Sequence, residues 1–183
     1  MALDTAEKKA VDAQFLVMVR TLVTLLGGAL LFAWALSRAI PEPAEKLILY
    51  PAFPMFLLVA VVLTSMGVSR VGAVLNGGIS IRFYRTYDEG EEPERLRVIT
   101  RNFINLFEMP LLFHVGLVLI YVSEQGSPWL LGLAWAYVAL RYLHTYVHLR
   151  GNNVPVRLAV YTSSGLVLLI LWITWFARLV SSA

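Results

Sequence analysis

The sequence predicts an all-α integral membrane protein: a four-helix bundle preceded by one additional transmembrane helix. Three observations carry this. Of 183 residues, 58% are hydrophobic and 15% charged, well short of the roughly 25% charged residues of soluble domains. Mean hydropathy is +0.70. The apolar residues also gather into stretches near the ~20 residues that a helix needs to cross the hydrocarbon core.

Five stretches qualify as spans. The first runs from about Phe15 to Ala39, with an uncharged core between Arg20 and Arg38. Lys8 and Lys9 ahead of it, and Ala33-Trp34-Ala35 within it, would also suit a signal peptide; we read it as an anchor. The second begins near Leu47 and is uncharged through Ser69, with Pro51 and Pro54 in opening turns where a missing N–H costs little. The third, about Phe103 to Val122, holds Asn105, Glu108 and His114. Ionisable groups there are expensive and need a reason. The fourth runs from Pro128 to about Leu149 and carries Arg141, His144 and His148, and the fifth from about Pro155 to Leu179.

The loops predict an orientation. Arg82, Arg85, Arg95, Arg97 and Arg101 lie between spans two and three, and Arg150 and Arg157 between four and five, while Ser123 to Ser127 has no basic residue. Basic loops face the cytoplasm, which puts the N-terminus inside; a bacterial inner membrane is the expected location. The acidic Asp88 to Glu94 stretch reads as a solvated loop. A net charge of +3 does not suggest nucleic acid, because the basic residues flank apolar runs rather than forming an aromatic-interleaved stripe. With no cysteine, thiolate nucleophiles and cysteine-bound metals are excluded.

Residues three, four and seven apart share a helix face. Arg101, Asn105 and Glu108 do so on span three, Arg141, His144 and His148 on span four, and Arg157 and Tyr161 on span five. All three stripes fall toward the cytoplasmic end. Glu108 paired with Arg101 or Arg141 would be a register-fixing salt bridge. Three arginines against one carboxylate leave positive charge to hold an anionic ligand. His144 and His148 with Glu108 could instead ligate a metal, but neighbouring arginines repel a cation, so no metal is expected. His114 reads as a helix–helix hydrogen bonder, and Trp129, Trp172 and Trp175 as interfacial or packing aromatics.

Arg101-x3-Asn105-x2-Glu108-x-Pro110, Arg141-x2-His144-Thr145-x2-His148 and Pro155-x-Arg157-x3-Tyr161, in this order, resemble the MAPEG family, the membrane-associated proteins of eicosanoid and glutathione metabolism. The resemblance covers about Leu47 to Phe176 and is closest to short bacterial members. It implies a four-helix protomer over 47–183, a homotrimer, and glutathione bound between subunits near the cytoplasmic face. Residues 1–46 would be an extension without counterpart, able to pack outside the trimer or against another membrane protein. The resemblance further implies that Arg101, Asn105, Glu108, Arg141, His144, His148 and Tyr161 hold glutathione or support its pocket, and that Arg157 lies near the thiol and stabilises the thiolate. Phe103 stands where mammalian members have histidine, His148 where an aromatic hydroxyl is usual, and Leu158 where prostaglandin synthases have serine. The activity this implies is glutathione transfer, or peroxidase-like chemistry, on lipophilic electrophiles. The alternative is a non-catalytic scaffold or accessory subunit of a larger membrane complex.

Overall fold

The computed structural model describes residues 5–40, 46–87 and 90–182. Its elements are α1 (Thr5–Ala39), a 3-10 turn (Lys46–Leu49), α2 (Ala52–Leu75), a short α3 (Phe83–Thr86), α4 (Glu94–Val122), α5 (Pro128–Arg150) and α6 (Val154–Ser181). No strand occurs among the described residues.

Local chemistry explains the boundaries. Before α5, the Ser127 side chain accepts from the Leu130 N–H at 3.3 Å, with Pro128 in the first turn. Asn153 does the same for α6 through the Val156 N–H at 3.1 Å. The third expected span starts earlier than its apolar run suggests, at Glu94 instead of Phe103. Arg95, Arg97 and Arg101 therefore sit on the first turns of α4 and not in a loop. A helix has no need of apolar residues once it leaves the hydrocarbon, so hydropathy locates the span and misses its extension.

Four helical segments are long and apolar enough to cross a membrane: Lys9–Ala39, Lys46–Leu75, Glu94–Val122 and Val154–Ser181. The expected fourth span, α5, is not among them by composition. Its 23 residues nonetheless extend about 34 Å at 1.5 Å per residue, enough for a ~30 Å core. The reason lies in packing: α5 is enclosed by its neighbours, so side chains such as Tyr137, Arg141 and His144 are buried against protein and need not suit lipid.

The helices group as α1 against α5 and α6, and α2 against α4, with α4 joining the two sets. Phe113 of α4 stacks on Tyr137 of α5, centroids 4.5 Å apart, among Met55, Leu106, Leu133 and Leu171. The N-terminal helix thus packs on its own chain. Ala33 of α1 is fully buried, and a Cβ on Gly132 of α5 would collide with the Ala33 carbonyl, so only glycine lets the two backbones approach. At the α5 start, Trp175 donates to the Ser123 hydroxyl at 3.0 Å and Gln125 to Ser182 at 3.0 Å.

The opposite, arginine-rich end corrects a second expectation. Asp88 and Glu89 of the acidic loop lie outside the described residues. Glu92, expected in solvent, is buried. Its carboxylate lies 3.2 Å from Arg70 Nε and accepts from the Thr100 hydroxyl at 3.0 Å, while the Arg70 guanidinium covers the Tyr84 ring at 5.3 Å. Burial pushes the Tyr84 phenol above its usual pKa; the Glu92 carboxylate adds to this and Arg70 opposes it. The loop is tied down because Arg70, at the edge of an apolar span, needs an anion.

Candidate functional site

Near the arginine-rich end, α4, α5 and α6 bring most of the predicted polar residues together. Arg141, His144 and His148 occupy one face of α5 by their three- and four-residue spacing, and all three are buried. The Arg141 Nη2 donates to the Asn105 backbone carbonyl at 2.6 Å. Its guanidinium also lies over the Tyr161 ring, 5.5 Å from the centroid, a cation–π contact. His144 meets both His148 and Tyr161 with ring centroids 5.6 Å apart. Arg157, half-buried, donates to the Asn152 side chain. The charges of Arg157 and Arg101 both reach His148, although Arg101 itself is exposed.

The α4 stripe divides. Asn105 is half-buried, whereas Arg101 and Glu108 face out of the chain. The expected Glu108–arginine salt bridge does not form: the ion pairs among the described residues are Arg70–Glu92 and Arg97–Glu91. Glu108 influences Arg141 only at longer range, because α4 turns Leu106, Pro110 and Phe113 inward instead. This also separates Glu108 from the two histidines. No group of three or more metal-capable side chains gathers among the described residues. His114 bonds the Pro110 carbonyl of its own helix at 2.7 Å, not a neighbouring helix.

Sequence reasoning gave no role to Asn102, Thr145 or Tyr137. Asn102 is fully buried, and its Nδ2 faces the Thr145 hydroxyl at 3.5 Å. The signal was available in spacing: Asn102, Leu106, Pro110, Phe113 and Leu117 follow the core stripe of α4.

Several buried polar atoms in this region have no partner: Arg141 Nε and Nη1, His144 Nδ1, Asn102 Oδ1 and the Tyr137 hydroxyl. Such atoms cost free energy unless water or a ligand meets them. Two are guanidinium donors, which suit a carboxylate. The donor set around Arg141 is of the kind that engages an anion, with the Tyr161 ring packed against the guanidinium.

Comparison with known proteins adds one match. The MAPEG family model matches residues 48–177, a stretch that contains every polar residue of the cluster and excludes α1. No curated protein and no solved structure matches the chain.

Proposed function

The chain belongs to the MAPEG family, and on that premise we propose that it is a membrane-embedded glutathione-binding protein that transfers the thiolate to lipophilic electrophiles. Membership makes it an integral membrane protein of a glutathione-associated family. The observation that carries the finer reading is the buried Arg141, with one donor satisfied by Asn105 and two left without a partner.

The residues present fit glutathione, whose carboxylates would suit these donors. Arg141 binds and orients a carboxylate, and Tyr161 holds that guanidinium in place through the ring beneath it. Glu108 and Arg101, turned outward, complete the pocket against a second copy of the chain in a homotrimer, where Glu108 receives the ligand's amino group. When bound, glutathione supplies the thiol. Arg157 stabilises the thiolate by charge, and His144 and His148 close the wall around it. The surrounding helices exclude water and strengthen each of these electrostatic interactions. In this arrangement residues 47–183 form the functional bundle, α1 covers its α5/α6 face, and the site opens to the cytoplasm of a bacterial inner membrane with the N-terminus inside.

Isothermal titration of glutathione into detergent-solubilised protein tests the reading. Saturable binding at micromolar to millimolar concentration is expected. Arg157→Ala should retain most of that binding while losing the thiolate signal in the ultraviolet difference spectrum. Absence of saturable binding to the folded protein overturns it. The second reading, an accessory subunit, draws on the outward apolar face of α1, where Phe15, Val23, Leu31 and Trp34 are exposed. Stoichiometric copurification of another membrane protein, lost when residues 1–46 are deleted, would establish it.

A further inference from the structure

Arg70 ends the uncharged run of α2, and the last turn of that helix continues past it to Leu75. Gly77, at φ 69°, then lets the chain turn back. Ile81, Tyr84 and Tyr87 of the returning segment line one groove of 430 Å³ together with Val74 and Leu75, and no residue of α4 takes part in it. Its wall is held in place: the Tyr84 ring meets Phe83 and Tyr87 edge-on, centroids 5.2 and 6.1 Å apart, and carries the Arg70 guanidinium on its face. Leu75 and Ile81 are nonetheless the most exposed large apolar side chains among the described residues, at 80% and 72%. Val68 and Val71, also exposed, continue the same face of α2 into the span. Charge stands beside this surface. Arg82 and Arg85, three apart on the returning segment, are exposed, and neither has an ion pair among the described residues, because Glu91 and Glu92 are taken by Arg97 and Arg70.

We propose that this corner of the protein binds one anionic phospholipid, its phosphate held by Arg82 and Arg85 and the first carbons of an acyl chain lying against Leu75 and Ile81. At 1.5 Å per residue the uncharged run from Leu47 to Ser69 already fills a ~30 Å hydrocarbon core, which sets Leu75 and Ile81 at headgroup depth. Guanidinium groups pair bidentately with phosphate oxygens, and basic residues at the edge of a span are attracted to an anionic leaflet. A free anion would satisfy the arginines and leave Leu75 and Ile81 in water, whereas a lipid meets both needs at once. The site shares no residue with the Arg141 cluster and does not depend on the glutathione reading.

The test uses the full chain in nanodiscs with two diazirine-bearing probes of identical acyl chains, a phosphatidylglycerol and a phosphatidylcholine. The phosphatidylglycerol should photolabel residues 71–87 at least about fivefold more strongly than the phosphatidylcholine, the scale of one basic residue at an anionic surface. Arg82→Gln and Arg85→Gln should each remove about that factor and leave phosphatidylcholine labelling unchanged. Ile81→Ser should weaken labelling by both lipids, and Arg178→Gln, at the far end of the bundle, by neither. Equal labelling by the two lipids on the unaltered protein overturns the proposal, as do labels mapping elsewhere, displacement of the lipid by millimolar inorganic phosphate, or a crosslink showing a second copy seated on Ile81. The comparison of the two lipids needs no substitution, so a variant that fails to fold leaves the proposal testable.

Discussion

The Ala33 carbonyl on α1 lies against Gly132 on α5 so closely that no Cβ fits between them. The N-terminal helix is therefore seated on the bundle by backbone approach, the kind of contact that small residues permit between helices in membranes. Gly132→Ala should lower stability by about 1–3 kcal/mol through overpacking. Gly165 provides the control: a Cβ there meets only Met109 Cε at 3.6 Å, so Gly165→Ala should be neutral or stabilising by up to about 1 kcal/mol from helix propensity. Thermal unfolding in detergent distinguishes the two, and equal behaviour would contradict the close crossing.

Arg141 separates stability from binding. Methionine fills similar volume without charge, and the Asn105 carbonyl keeps its place in the α4 ladder. Replacing a buried charge with an apolar side chain is often neutral or stabilising, so Arg141→Met should unfold at the same temperature or higher. Its glutathione affinity should fall by about tenfold to a hundredfold, the scale of a hydrogen bond to a charged group. Calorimetric titration beside a melting curve reads both. A stable variant with undiminished affinity would remove Arg141 from the site.

Glu92 should matter more than its place in a polar loop suggests. Glu92→Gln leaves Arg70 without its anion, and Arg70 is itself only partly exposed, so a loss of about 1–3 kcal/mol is expected. The loop should loosen with it. Limited trypsin digestion should then cut faster at Arg82 and Arg85, which are exposed. Unchanged cleavage and melting would show that the ion pair contributes nothing.

Glu108 tests assembly. Its carboxylate faces outward beside Ile104, Phe107, Leu111 and Leu112, all exposed, and a charge facing lipid is costly. If a second copy covers this face, Glu108→Leu should weaken glutathione binding at least about tenfold and shift the oligomer seen by light scattering toward smaller species. A lipid-facing Glu108 gives the opposite result, with higher stability and unaltered binding.

What the sequence determined by itself follows from short-range rules. Apolar runs bounded by arginines specify helices that cross a bilayer, and residues three and four apart on Arg141, His144 and His148 specify a shared face. Prolines such as Pro51 and Pro54 mark where a helix begins. None of this requires knowing what lies opposite. Which partner a polar group meets was decided only by the tertiary structure. Glu108 and Arg101 share the α4 stripe with Asn105, yet α4 turns Asn102 and Leu106 inward and leaves both charges outside. Glu92 sits in a hydrophilic loop, yet Arg70 draws it into the protein. In the same way α5, which the sequence reads as a span, buries Arg141, His144 and His148 because it is enclosed by α1, α4 and α6. Periodicity constrains a residue to one side of its own helix, whereas burial and pairing depend on how separate helices rotate against one another, and that rotation is set by contacts between residues distant in the chain.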